Sequence, residues 1–421
     1  MSLQSINLYN QLAKSKLFNK SIKFDLKRIK LVLKKLGNPE KKLKNVINVI
    51  GSDGKYSLLT SLKYFIEENK QNTSAYISPS LKDIKERFWT GQKYLSHLEI
   101  KKTIKIIEKL NVPLTIFEVL TVIFIINVAD QKNDYNIIEA GALFAKDSTN
   151  VFDFPLIQAV VNCNLQHLNF LKKKTLDEVI KQKVGFLSQF SKIYVGKQNA
   201  KTQKIIKKYL KNNVSKKIYS NSWKLLKFKN SYFYSDRNKK ILLNTKYIHS
   251  KGLLENLCMA IKIALDLNIP RNVIKSAIPK IFFEGRVQYL NKGKIKKILH
   301  RNEKIIIDGA HSEISGKNLS NFLKTIKEPK YGIWGMMKNK EPDLFIKQFK
   351  GVFKKIITTS ITKEKNSLSK NYLSRIAKKN NFNVETSNGT LSAIKKITNK
   401  NKKTIVIFGS FYLIGDTLNR N

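Results

Sequence analysis

Asn45-Val46-Ile47-Asn48-Val49-Ile50-Gly51-Ser52-Asp53-Gly54-Lys55-Tyr56-Ser57 is a β-branched run that breaks into a glycine-containing turn and ends in Lys-x-Ser. The run has strand composition, and the residues from Leu58 to Ile66 carry apolar positions three and four apart, as a helix does. Strand, loop and helix in that order frame a phosphate site: backbone N–H groups at a helix N-terminus, a lysine for the β- and γ-phosphates, and a hydroxyl for Mg²⁺. Lys55 and Ser57 fill the last two roles. The full pattern G-x-x-x-x-G-K-[ST] is not met, because Gly51 and Gly54 are too close and Tyr56 separates lysine from serine. An ordinary strand-to-helix turn therefore stays open beside the phosphate loop.

With 421 residues the chain is too long for one ordinary core, and two domains are expected. Its 80 Lys and Arg against 30 Asp and Glu give a net charge of +50, spread along the whole length. Such a field favours nucleotides, polyanionic metabolites or nucleic acid. The competing reading is compositional drift, since Lys, Asn and Ile dominate together. No Arg-rich tract, zinc-knuckle spacing or repeated aromatic-plus-basic motif supports nucleic acid, and salt-sensitive binding to nonspecific RNA would be its discriminator.

Cys163 and Cys258 lie far apart without C-x-x-C spacing, which argues against a disulfide framework or a thiolate metal site and fits a cytoplasmic protein. The N-terminal segment, with Lys14, Lys16 and Lys20 and no apolar core between them, does not read as a secretory signal. The most apolar run, 112–129, opens near Pro113 and contains Glu118, which suits a buried helix better than a membrane span.

Helical spacing (Ile22, Leu26, Ile29, Leu33, Leu36) precedes the central strand. A second strand, Thr73 to Ile77, halts at Ser78-Pro79; a third ends at Glu139; a fourth, Pro155 to Cys163, leads to His167. Helices over 97–110 and 115–129 alternate with them, which predicts a mostly parallel α/β sheet flanked by helices. Lys55, Ser57, Glu139 and His167 then fall at the C-terminal ends of three strands, where open sheets bind ligands, and their donors suit Mg²⁺.

A short strand at 193–195, hairpin-like pieces over 231–243 and a helix over 253–267 follow. A second alternation, with strands at 305–308, 331–335, 355–359 and 404–410, predicts a smaller Rossmann-like α/β domain, dividing the chain into 1–295 and 296–421. There Asp308-Gly309-Ala310-His311 places a carboxylate and an imidazole at a strand end, or caps the next helix. Glu284-Gly285-Arg286 is a turn or an arginine aimed at phosphate.

Taken in order, these pieces resemble the folylpolyglutamate synthase and dihydrofolate synthase family, cousins of the Mur ligases. The family loop G-T-N-G-K-G-S resembles Gly51 to Ser57, S-P-H-L resembles Ser78-Pro79-Ser80-Leu81, and F-E-x-L-T matches Phe117-Glu118-Val119-Leu120-Thr121. E-x-G and D-x-T-N match Glu139-Ala140-Gly141 and Asp147-Ser148-Thr149-Asn150. L-D-H is echoed by Leu165-Gln166-His167, E-K-A-G by Gln182-Lys183-Val184-Gly185, and P-G-R by Glu284-Gly285-Arg286. D-x-A-H-N-P is echoed by Asp308 to Glu313, and G-S-F matches Gly409-Ser410-Phe411. Departures concentrate in the loop glycine replaced by Tyr56, in Leu143-Phe144-Ala145 for Gly-Gly-Arg, and in Gln166 and Gln182 for acids.

The resemblance implies an ATP-dependent amide ligase that adds L-glutamate to dihydropteroate or a tetrahydrofolate polyglutamate. It implies ATP on Gly51, Ser52, Asp53, Gly54, Lys55 and Ser57, with Asn256, Arg286 and Asp308 as further nucleotide contacts. Ser57, Glu139 and His167 would surround Mg²⁺, Lys183 would be a carbamate, and His311 would lie near the transferred phosphate. The expected form is a cytoplasmic monomer without membrane or obligate nucleic-acid partner. A diverged binder with little turnover is the alternative that Tyr56 encourages.

Overall fold

Val46–Ile50 is buried at all five positions and lies at the centre of a seven-stranded sheet in the computed structural model, which describes residues 3–15, 17–19, 24–362 and 364–421. Ile22, Lys16 and Lys20 lie outside the described residues. In hydrogen-bonded order the strands are Phe88–Trp89, Thr73–Tyr76, Tyr135–Glu139, Val46–Ile50, Ile157–Val160, Lys192–Val195 and Lys217–Tyr219. All pair in parallel except Phe88–Trp89. The chain leaves Val46–Ile50 toward one edge and later crosses to Ile157–Val160 on its other side. That reversal makes the end of the central strand a topological switch point, the position at which open α/β sheets bind ligands.

Continuous apolar runs are what strands covered on both faces require. Helices Lys55–Glu68, Ile116–Val128 and Leu176–Val184 supply cover for this sheet. Ile116–Val128 begins at Thr115, whose N–H donates to Glu118 Oε2 at 2.6 Å while Glu118 N–H donates back to Thr115 Oγ1 at 3.3 Å. Arg28 Nη2 also reaches Glu118 Oε1 at 3.0 Å, so the acid inside the apolar run 112–129 pins two helices. Among the described residues no helix is long and apolar enough to cross a membrane. The hairpin region is an antiparallel sheet of Lys224–Phe228, Ser231–Ser235 and Lys240–Leu242.

Two compact units divide the chain, the larger Leu3–Lys246 with Leu253–Ile281, the smaller Tyr247–Gly252 with Phe282–Asn421. The break at Phe282 lies ahead of the expected 295 because the turn 284–286 is bonded to the smaller unit's own sheet. Gly309 N–H donates to Gly285 O at 2.9 Å, and Val287 N–H to Asp308 Oδ2 at 2.8 Å.

The smaller unit holds a six-stranded sheet ordered Gln288–Tyr289, Glu303–Asp308, Lys403–Phe408, Lys330–Trp334, Lys355–Thr359 and Val384–Ser387. Four of these were expected; the two edge strands are additions. Glu303 and Lys403, paired in register at the starts of neighbouring strands, form a buried ion pair at 3.4 Å. Glu303 also accepts from His300 N–H and Asn399 N–H, each at 2.9 Å. Replacing it by the isosteric amide leaves Lys403 buried without its counter-charge. Glu303→Gln is expected to lose about 2 kcal/mol of unfolding free energy, measured by denaturant titration.

Candidate functional site

The turn after Val46–Ile50 takes its shape from two glycines. Gly51 (φ 144°) and Gly54 (φ 100°) occupy backbone conformations that favour glycine, and a Cβ at either would run into Val161 or the Asn256 amide. Gly54 caps helix Lys55–Glu68, so the N-terminal amides of that helix lie at the switch point. Tyr56 is the second residue of the helix, half-buried and with ordinary negative φ, so glycine is not required there by backbone geometry.

Two lysines converge on one carbonyl. Lys55 Nζ donates to Gly51 O at 3.3 Å and Ser52 O at 3.4 Å, and Lys183 Nζ donates to the same Gly51 O at 3.0 Å and to Ala142 O at 2.7 Å. Lys183 is 1% exposed, on helix Leu176–Val184. Burial first, and the Lys55 charge second, lower its pKa to about 8. Ala142 is held in place by Asp147, whose carboxylate accepts from Ala142 N–H at 3.3 Å and Thr149 N–H at 3.0 Å; burial raises the Asp147 pKa.

Glu139, at the end of its strand, lies 3.8 Å from Lys55 Nζ through Oε1 and accepts from Ser78 N–H at 3.0 Å through Oε2. Ser78 Oγ in turn accepts from Arg87 Nη1 at 3.0 Å, and Arg87 Nε donates to Tyr9 OH at 3.0 Å. This places the Ser78-Pro79 loop directly on the Glu139 carboxylate. Ser57 Oγ donates to Gly54 O at 2.9 Å and accepts from Asn256 Nδ2 at 2.9 Å, so Asn256 sits on the loop itself. Lys55, Ser57, Glu139, Lys183 and Asn256 thus belong to one constellation.

His167 lies beyond it in sequence, in left-handed backbone (φ 62°), its ring stacked 6.3 Å from Phe170. Residues 162–166, which lead to it, are laced to the loop: Ser52 N–H donates to Asn162 O at 2.7 Å, and Asn164 N–H to Ser52 Oγ at 3.1 Å. Sequence reasoning missed Asn162 and Asn164 as loop partners, since neither carries a charge or a recognisable spacing.

In the smaller unit Asp308 is buried and receives Ala310 N–H at 2.7 Å and Val287 N–H at 2.8 Å. Burial raises its pKa, with Arg286 opposing. Arg286 lies over the Phe411 ring, 3.7 Å from guanidinium carbon to centroid, and the His311 ring meets the same phenyl edge-on at 5.4 Å. His311 Nδ1 sits 2.8 Å from Gly309 O; a proton on Nδ1 leaves Nε2 as the ring's acceptor. Phe411, quoted in sequence only as part of a terminal triplet, is the plate that orients both.

Among the described residues no three His, Cys, Asp or Glu side chains cluster into a metal cage. The Ser57 hydroxyl and the Glu139 carboxylate are hard oxygen donors of the kind that Mg²⁺ takes.

Residues 291–420 match the family model of the dihydrofolate synthetase C-terminal domain. The chain is 26% identical over 415 residues to the dihydrofolate synthase/folylpolyglutamate synthase of Buchnera aphidicola, covering 95% of this chain and 93% of that one. Its fold is shared with E. coli FolC in complex with DHPP and ADP (TM-score 0.85, 19% identity, 98% and 97% of the two chains). It is likewise shared with the Yersinia pestis bifunctional folylpolyglutamate synthase/dihydrofolate synthase complexed with AMPPNP and Mn ion (TM-score 0.84, 18% identity, 98% and 97%).

Proposed function

From the chain's place in the folylpolyglutamate synthase and dihydrofolate synthase family, we propose that it is an ATP-dependent ligase joining L-glutamate to a pteroate or folate carboxylate. The observation that carries this reading is the pair of buried lysines on Gly51 O beside Glu139, at the switch point of a parallel sheet. Lys55 and a row of helix N-terminal amides there are arranged for a polyphosphate, while Lys183 braces the turn through Gly51 O and Ala142 O.

A carboxylate is a poor electrophile, so its oxygen first attacks the γ-phosphorus of ATP, the bond to ADP breaks, and an acyl phosphate forms. The glutamate amine then attacks the acyl carbon, phosphate leaves from the tetrahedral intermediate, and the amine gives up its proton. Lys55 neutralises charge on the transferring phosphoryl, and the loop amides fix its position, so this chain contributes mainly orientation and electrostatics. Ser57, Glu139 and His167 are the residues that would hold Mg²⁺, which would supply positive charge to offset the negative charge developing on the transferred phosphoryl. Arg286 and Asp308 are proposed toward nucleotide and His311 toward the transferred phosphate. We also propose a cytoplasmic monomer.

Purified protein with ATP, Mg²⁺, glutamate and either dihydropteroate or tetrahydrofolate is expected to release ADP and phosphate only when both acceptor and glutamate are present. Release that ignores the pterin overturns the substrate assignment; no nucleotide binding overturns the ligase reading. Tyr56→Gly is expected to keep or raise turnover, within about twofold, at a helix cost of about 1 kcal/mol or less. A large loss in steady-state kinetics would place the ring in the site.

A further inference from the structure

The three-stranded sheet of Lys224–Phe228, Ser231–Ser235 and Lys240–Leu242 has one face packed and one face open. Tyr234 and Ile241, paired across two strands, are fully buried on the packed face. Side chains alternate along a strand, so Leu226, Phe233 and Leu242 stand on the opposite face, and the register sets them side by side in one row. Leu226 and Leu242 are exposed, and Phe228, two residues beyond Leu226, is 65% exposed. A sheet covered on one side ordinarily turns polar residues outward. Here the open face is apolar as well.

Cations are interleaved with its rings. Lys240 Nζ lies over the Phe233 ring at 4.8 Å, and Lys229 Nζ over the Phe228 ring at 5.8 Å. Between residues 224 and 242 the chain carries five lysines and one arginine against a single acid, Asp236. That acid accepts from Tyr234 OH at 2.6 Å and from the N–H groups of Asn238 and Lys239 at 3.0 and 2.8 Å, so it is turned into its own loop. No one stretch of sequence displays the pattern, because strand pairing assembles it.

We propose that this open face binds single-stranded nucleic acid, a function separate from ligation. Each nucleotide brings one flat ring and one anion, the two chemistries that the face interleaves. Phe228 and Phe233 are diagonal neighbours about 7–8 Å apart, so successive bases can stack on them while the lysines pass from ring to phosphate. A second copy of a chain charged +50 is repelled from such a face. A membrane is disfavoured too, since inserting Phe233 draws the Lys240 ammonium toward hydrocarbon.

The test is fluorescence anisotropy of the full chain with short labelled oligo(U), oligo(dT) and a duplex. Phe228→Leu keeps apolar bulk but removes the ring; it is expected to weaken binding of the single strands about fivefold and to leave the duplex unchanged. Phe228→Tyr keeps the ring and is expected to match wild type. Lys224→Ala with Lys240→Ala is expected to flatten the plot of log affinity against log salt by about 1.4, whereas Lys101→Ala with Lys105→Ala, exposed on helix His97–Lys109, leaves the slope unchanged. Binding of either oligonucleotide on these terms supports the proposal, and the tighter one tells RNA from DNA. A Phe228→Leu variant that binds like wild type, or an equal slope change from the Lys101 and Lys105 pair, overturns it in favour of bulk charge. Phe228-dependent self-association or binding to phosphatidylglycerol vesicles, without oligonucleotide binding, overturns it as well. None of these residues belongs to the constellation around Lys55, so ligase turnover stands or falls separately.

Discussion

Lys55→Ala is expected to lower kcat by about 10³-fold and to weaken nucleotide binding, because no other group in the constellation can place a mobile cation on the γ-phosphate. The lysine is held by two carbonyl oxygens of its own turn and stands 3.8 Å from Glu139. These contacts are long enough to be exchanged for phosphate oxygens when a nucleotide enters. Lys183, the nearest alternative, is committed to Gly51 O and Ala142 O and almost fully buried. Arginine is not a substitute, since its planar fork does not fit a slot shaped around one ammonium. Rapid-mixing assays of ADP release, with fluorescent-nucleotide titration alongside, separate binding from turnover. Unchanged affinity and turnover in Lys55→Ala would remove the phosphate loop from the mechanism.

The strand, loop and helix around Gly51 were legible because β-branched composition, glycine placement and helical periodicity agree locally. The same agreement revealed the strands ending at Glu139 and Asp308. Edge strands escaped: Phe88–Trp89 is two residues long, and Val384–Ser387 carries Glu385 on a half-exposed edge, so neither offers a buried run to read. The Glu303–Lys403 pair escaped for a related reason, since charges in sequence read as solvated until strand register places them together. Within the site, Lys183 was reached only through resemblance; nothing local says that it meets Lys55 on one carbonyl. Asn162 and Asn164 carried no usable signal, because their hydrogen bonds to the loop join segments more than a hundred residues apart.

Lys183 should reveal itself in two measurements of opposite character. As a free amine it sits in the folded protein with a pKa of about 8 against an ordinary 10.5, so between those values the unfolded chain binds a proton that the folded chain does not. Stability contributed by this residue therefore rises with pH across that window, by about 3 kcal/mol in total, and is lowest below pH 8. The difference in unfolding free energy between wild type and Lys183→Met isolates it, since the carbonyls that the variant strands carry no pH dependence. In CO₂-free buffer a flat difference from pH 8 to 10.5 would contradict the buried-ammonium geometry. The lowered pKa also leaves about a fifth of the amine unprotonated at pH 7.4, on the order of 10²-fold more than an exposed lysine. That nitrogen can attack CO₂, losing a proton as the carbamate forms, and the product replaces a second cation beside Lys55 with an anion. One N–H is given up in the change, so one of Gly51 O and Ala142 O must find another donor. Lys183→Ala is expected to lose at least about 10²-fold in kcat and to recover partly with added acetate, which supplies carboxylate oxygens without the tether. Lys183→Arg is expected to be equally inactive and not to recover, because guanidinium neither reacts with CO₂ nor leaves room for acetate. A ¹³C carbamate resonance after exposure to labelled bicarbonate gives the direct reading, and full activity of Lys183→Arg would end the proposal.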